Sequence, residues 1–304
     1  MSVASVLFDV LGPVVLIVAL GALAGPRLGV DVRSLSRLAY WVLGPAFMFD
    51  VLADADLERR VILQLSAAGL AGMAAAATFT WIVLRGSGAD GSMVAAGAMT
   101  SAYGNVGNAG LAISVFAFGD DVLPAAGVFM LAINATGMML GVGLAHGRRG
   151  SVTSAVIRAL LAPMTVASLV ALAANSLSLL PPPILTRSIG LLSGALIPTM
   201  LFTLGLQLYS SRRFRVRFPI AVSTFAKLVV APAAASFTAL AIGLTGDLAA
   251  VSAVQSAMPP AVFCMVVALE HDLEPEAVTS TVAFATVTAL FTLPVVLLLT
   301  PSLP

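Results

Sequence analysis

The chain has 304 residues, of which 60% are hydrophobic and only 10% are charged, and its formal net charge is +1. Soluble domains carry roughly a quarter charged residues, so this composition excludes a water-soluble globular protein. The single cysteine, Cys264, excludes an internal disulfide and a cysteine metal cluster, and the two histidines lie near loop ends. We therefore expect no metal, no cofactor and no nucleic-acid partner, and the lipid bilayer is the expected solvent.

Ten apolar stretches are long enough to cross a bilayer, which takes about 20 residues per helix. The N-terminus lacks the basic start and cleavage site of a signal peptide, so the first stretch is expected to be a retained helix. The connections are short and polar, with no room for a soluble domain. We predict an all-α integral membrane protein whose ten transmembrane helices lie at approximately 6–26, 35–53, 61–84, 92–118, 122–145, 155–178, 186–209, 218–243, 247–270 and 276–299.

Basic residues are concentrated in alternate connections, which therefore face the cytoplasm. With ten helices, both termini then lie on the extracytoplasmic side of the cell membrane. One missed helix would move the C-terminus to the other side. The strongest clusters are Arg27, Arg33 and Arg37; Arg148, Arg149 and Arg158; and Arg212, Arg213, Arg215 and Arg217.

The two halves of the chain resemble each other at a spacing of about 150 residues, which indicates an internal repeat. Five helices per half is an odd number, so the second half enters the membrane from the opposite side. The predicted inverted repeats are residues 1–150, with helices one to five, and 151–304, with helices six to ten. The matching segments are Pro13 and Pro163, Pro45–Phe49 and Pro198–Phe202, and Asp121–Pro124 and Asp272–Pro275.

The fourth and ninth predicted helices contain residues that disfavour a continuous helix. Three glycines and two asparagines fall between Gly104 and Gly110, and the matching stretch of the second half contains the adjacent Pro259 and Pro260. Such breaks survive in a membrane only inside protein or beside a wet cavity. Paired interruptions at corresponding positions predict the substrate site of a transporter, where half-helix N-termini suit a carboxylate.

The candidate substrate-binding residues lie in or beside these two breaks. Close helix packing at the Gly-xxx-Gly spacing is the structural alternative for the first break. Asn134, Asn175 and Gln207 are expected either to line a cavity or to bond across helices. The candidates are Asn105, Gly107, Asn108, Gly110, Gln255, Pro259 and Pro260.

Lys227 is a charged residue within the eighth predicted helix. A lysine inside a membrane is a candidate for a transport role. It follows the Arg215 and Arg217 cluster by about ten residues, so the alternative is that its side chain snorkels to the cytoplasmic surface.

Segments Gly104–Leu111, Phe118–Asp120 and Ala257–Ala261 resemble signatures of the auxin efflux carrier family, within a wider group of inverted-repeat transporters related to bile-acid symporters. The resemblance implies scaffold and transport subdomains drawn from both halves, which move in an elevator-like way, and crossing of helices four and nine at the substrate site. It also implies that Asn105 contacts a carboxylate and that Pro259 belongs to the crossing.

Three features depart from the pattern of this family. Ala112 replaces a proline of the plant members, and Val262–Cys264 fills a stretch that often carries an asparagine. The long cytoplasmic loop of many plant members is missing, so auxin itself is not implied. The anion site is then expected to be more one-sided or more apolar than in the family.

The predicted function is secondary transport of a small organic anion, driven by a gradient or by the membrane potential. The alternative is a sodium- or proton-coupled symporter or antiporter of the bile-acid-symporter type, which usually has acidic residues at the crossing; this chain has none there. Intramembrane hydrolase motifs are absent, so we expect no enzyme. The expected partners are a carboxylate, the bilayer and a second copy of the chain in a homodimer.

Overall fold

The computed structural model describes residues 2–55, 57–146, 157, 160–177, 179, 181–210 and 215–300. Within these ranges every regular element is helical, and the only β-type pairing is one bridge between Gly104 and Pro260. The all-helical class expected from the sequence is confirmed for this part of the chain. The helices are α1 (Val6–Ala24), α2 (Val32–Ala53), α3 (Arg59–Gly86), α4 (Gly91–Ala102), α5 (Val106–Phe118), α6 (Leu123–His146), α7 (Pro163–Ser176), α8 (Pro183–Tyr209), α9 (Phe218–Ala241), α10 (Gly246–Ser256), α11 (Phe263–His271) and α12 (Pro275–Leu299).

Six of the described helices are long and apolar enough to cross a membrane by themselves, namely α1, α2, α3, α8, α9 and α12. Large apolar side chains cover their outer surfaces; Phe8, Phe237 and Phe291 are each about three-quarters exposed. Such a surface is stable in lipid and not in water. The count of ten crossings stays a prediction.

Two packing groups form around the centre of the molecule. The first packing group is α1, α2, α7 and α8, with α1 lying along α8 and α2 against α7. The second packing group holds α3, α4, α6, α9 and the remaining segments, with α3 at its middle. A Cβ atom on Gly21 of α1 or Gly205 of α8 would overlap the main chain of the other helix, so these glycines allow the two backbones to touch.

The described arginines of the predicted basic clusters are exposed and lie at or near helix ends. Arg27 follows α1, Arg33 and Arg37 lie in the first turns of α2, and Arg215 and Arg217 precede α9. The rest of the predicted basic clusters lies outside the described residues, namely Arg148, Arg149, Arg158, Arg212 and Arg213.

Candidate functional site

Two short non-helical stretches meet at the centre of the fold. Residues 103–105 separate α4 from α5, and residues 257–262 separate α10 from α11. They run antiparallel: the Asn105 N–H donates to the Pro259 carbonyl at 2.7 Å, and the Ala261 N–H donates to the Tyr103 carbonyl at 2.8 Å. Each stretch therefore supplies hydrogen bonds that the other lacks, which lets both remain buried.

Local sequence explains why the chain leaves the helical path at these places. Pro259 and Pro260 have no N–H to donate, and their rings clash with a preceding helical turn. Asn105 has φ −79° and ψ 53°, outside the helical region. A Cβ on Gly104 would lie 2.9 Å from the Lys227 Nζ, so only glycine lets the main chain pass this side chain undisturbed.

A cavity of about 360 Å³ lies on one face of the crossing, between it and helices α2, α7 and α8 of the first packing group. This volume is in the range of small-molecule sites. Asn105, Gly107 and Asn108 line it from the first break, and Ala261 and Val262 from the second. Its wall is mainly apolar, and none of the described residues that line it is acidic.

Two helix N-termini border this cavity. In α5, the N–H groups of Ala109 and Gly110 bond to the Asn105 carbonyl at 3.4 and 3.3 Å. The N–H groups of residues 106–108 have no backbone acceptor in the described part of the chain. In α11, Val262 is the N-cap residue and lines the cavity together with Phe263. Helix N-termini carry partial positive charge, so both favour an anion.

The carboxamides of Asn105 and Asn108 are available to a ligand. Asn105 is only 6% exposed, and its side chain does not cap the helix that follows. Neither carboxamide takes part in a hydrogen bond among the described residues. An asparagine carboxamide can both donate and accept.

The structure separates the predicted site residues into three places. Asn105, Gly107 and Asn108 line the large cavity, whereas Pro259 and Pro260 form the crossing. The other candidates lie behind the crossing: Gln255 and Lys227 line a second, much smaller cavity, and a Cβ on Gly110 would overlap the Gln255 side chain.

The snorkelling alternative for Lys227 is wrong. Its side chain is 3% exposed, and its Nζ donates to the Ser256 carbonyl at 2.9 Å. The residue lies in a π-helical turn, Ala226–Val230, a local widening often found at functional sites.

The polar residues left open by the sequence are divided between the cavity and helix packing. Asn134 and Gln207 line the large cavity, and the Gln207 Oε1 is buried with no hydrogen-bond partner in the described part of the chain. Asn175 lies elsewhere: its Nδ2 donates to the carbonyls of Ala53 and Ala55 at 2.7 and 3.1 Å.

Two cavity-lining features were missed by sequence reasoning. Arg33 lines the cavity from the start of α2, although the sequence indicated only its role in topology. Its neighbour Asp31 caps α2, and the N–H groups of Arg33 and Ser34 hold the pKa of that carboxyl below its usual value. Tyr103 packs its ring edge-on against Phe263 at 5.9 Å. The position of Tyr103 beside Gly104 was the available signal.

Comparison with known proteins agrees with this architecture. A family model described as membrane transport protein matches residues 148–297. The chain is 28% identical to an uncharacterized transporter of Methanothermobacter thermautotrophicus over 272 residues. The match covers 87% of this chain and 87% of the relative. The second half of the chain therefore resembles this membrane transport family, and the chain as a whole resembles a transporter.

Plant auxin efflux carriers match this chain over a shorter stretch. The chain is 34% identical to auxin efflux carrier component 3 of Arabidopsis thaliana over 112 residues. This match covers 36% of the chain and 17% of the carrier. The chain is 32% identical over 112 residues to probable auxin efflux carrier component 1c of Oryza sativa subsp. japonica, 36% of this chain and 19% of the carrier. The resemblance to the auxin efflux carrier family is confirmed, and the chain spans less than a fifth of these plant relatives.

Proposed function

We propose that this transport protein carries a small organic anion with a carboxylate group, and that the large cavity beside the crossing binds it. One observation carries the proposal: two helix N-termini and the free carboxamides of Asn105 and Asn108 border the same cavity. Arg33 adds a positive charge at the start of α2, with no acidic residue in the described lining. All these groups favour a negative ligand.

The shape of the cavity suggests how such a ligand is oriented. The N–H groups of residues 106–108 and the Asn105 carboxamide can donate to the carboxylate oxygens. Apolar and aromatic side chains form much of the remaining wall, so the rest of the ligand is apolar. The contributing side chains include Tyr40, Leu131, Met164, Met200 and Phe263.

The proposed mechanism is an elevator-like movement of the second packing group against the first, which acts as the scaffold. The crossing belongs to the second packing group, and the cavity lies between the two groups. Sliding of one group would therefore carry the bound anion across the membrane. The ten crossings, the inverted repeats 1–150 and 151–304 and a homodimer are parts of this proposal.

The proposed orientation places both termini outside the cytoplasm in the cell membrane. Arg33 then lies at the cytoplasmic end of α2, together with the exposed Arg37. Because the exposed Arg33 lines the cavity, the proposal is that the cavity opens toward the cytoplasm in this orientation.

Replacing Asn105 by alanine tests the site. Purified protein is screened by thermal shift against mono- and dicarboxylates, and uptake of a stabilising compound is followed in proteoliposomes. Asn105→Ala should weaken binding at least about tenfold, because it removes a hydrogen bond to a charged group.

Asn175→Ala is the matched control, because it also removes a carboxamide but one that bonds only to the carbonyls of Ala53 and Ala55. It should lower the melting temperature and leave the ligand affinity unchanged. Unaltered binding and uptake in Asn105→Ala would refute the proposed site.

A further inference from the structure

Lys227 is buried at the centre of the second packing group, where its charge needs compensation. Its ammonium donates to the carbonyl of Ser256, the last residue of α10. That helix ends at the crossing, so the acceptor belongs to a helix C-terminus, which carries partial negative charge. A buried ammonium without such partners would be strongly unfavourable.

Gln255 provides a second, independent indication of a ligand site at this place. Its side chain is fully buried, and neither its Oε1 nor its Nε2 has a hydrogen-bond partner among the described residues. Gln255, Ser256 and Lys227 line the same small cavity of about 10 Å³. That volume holds about one water-sized particle.

The groups around this cavity are those that coordinate a small monovalent cation. The Ser256 carbonyl and the Gln255 carboxamide are neutral oxygen ligands, and hard cations prefer oxygen. None of the described residues that line the cavity is acidic, so carbonyl groups compensate the single positive charge of Lys227. A side-chain ammonium and a monovalent metal ion carry the same charge. Either one can therefore bind the Ser256 carbonyl at the C-terminus of α10.

We propose that the Lys227 ammonium is a tethered cation that fills the place of a bound monovalent metal ion behind the crossing, at the Ser256 carbonyl and beside Gln255. The protein therefore needs no sodium or potassium ion at this place. Deleting the lysine side chain opens a site for one. The inference goes beyond the proposed anion transport, since it concerns the opposite face of the crossing and holds whichever solute is carried.

The melting temperature of the purified full-length protein tests this inference, with sodium, potassium or N-methylglucamine chloride at equal ionic strength. The unaltered protein should melt at the same temperature in all three salts. Lys227→Ala should be stabilised saturably by sodium or potassium, with a shift of roughly 5 °C. Methylammonium should stabilise Lys227→Ala as well, because it restores the missing ammonium.

Lys227→Met is the matched control, because methionine fills the space without a charge or room for an ion. It should show no response to sodium or potassium. If Lys227→Ala is recovered folded only in sodium or potassium, the inference is supported. If it is unfolded in every salt while Lys227→Met is folded, the inference fails.

Two further results would also overturn the inference that Lys227 takes the place of a metal ion. One is a folded Lys227→Ala protein that responds to neither metal ion nor to methylammonium. The other is a saturable sodium or potassium response of the unaltered protein, which would favour the sodium-coupled type of carrier. Stabilisation by carboxylates, measured on the same samples, reports separately on the anion site at Asn105.

Discussion

Tyr103 illustrates how much of the site depends on single residues of the breaks. Its carbonyl accepts from the Ala261 N–H, its hydroxyl donates to the Asn134 Oδ1 at 3.0 Å, and its ring lies against Gly137. One residue therefore ties the crossing to α6 and forms part of the cavity wall. This makes Tyr103 a positioning residue for Asn105, two residues further along the chain.

We predict that Tyr103→Phe destabilises the protein by about 1 kcal/mol, since it leaves Asn134 without its donor. The melting temperature should fall by roughly 2–4 °C, measured by thermal unfolding in detergent. Tyr40→Phe is the control: Tyr40 also lines the cavity, but its hydroxyl has no hydrogen bond among the described residues. An equal loss of stability in both variants would contradict this role of the Tyr103 hydroxyl.

At the scale of elements, α1 and α8 form the closest helix pair of the first packing group. Gly21 and Gly205 leave no gap in which a methyl group would fit, because each faces the main chain of the other helix. Small residues at such contacts increase the dispersion attraction between helices, which is a principal driving force for association in lipid.

We expect Gly205→Ala to separate α1 from α8 and to cost about 1–3 kcal/mol of stability. Gly194→Ala is a control in the same helix, because a Cβ there would meet nothing within 4 Å. It should leave the melting temperature unchanged or raise it slightly, since alanine favours helix. Equal melting temperatures for the two variants would show that the glycine contact is not needed.

The breaks are also features of elements, and they lie at residues that the sequence singled out. Pro259 and Pro260 act on their own backbone, so their effect can be read locally, whereas Gly104 lies where the Lys227 side chain approaches the main chain. The sequence did not reveal that Gly110 packs against Gln255 while Gly107 lines the cavity. The face of α5 that lines the cavity is set by its π-helical first turn, Val106–Gly110. Such a turn has no reliable signature in the local sequence.

At the scale of the whole molecule, the proposed elevator movement requires the two packing groups to slide. Val51 of α2 and Gly127 of α6 face each other across the boundary between the groups, and a Cβ on Gly127 would lie 3.3 Å from the Val51 Cγ2. This approach is close enough for a disulfide between cysteines at the two positions.

We predict that oxidised Val51→Cys/Gly127→Cys protein stops transporting but still shows the thermal shift with a bound carboxylate. Uptake in proteoliposomes should return on reduction. Each variant that carries only one of the two introduced cysteines, beside the buried Cys264, should be insensitive to the oxidant. Normal uptake by fully cross-linked protein would contradict movement between these groups.

The sequence by itself determined the class of the protein and singled out the residues beside which its helices stop. Composition acts on the whole chain at once, and a proline acts on its own backbone, so neither depends on distant contacts. Only the tertiary structure decided which side of the crossing each residue occupies. It brought Arg33 to the cavity of Asn105 and placed Lys227 at the Ser256 carbonyl behind it. These positions follow from the packing and rotation of helices far apart in the chain.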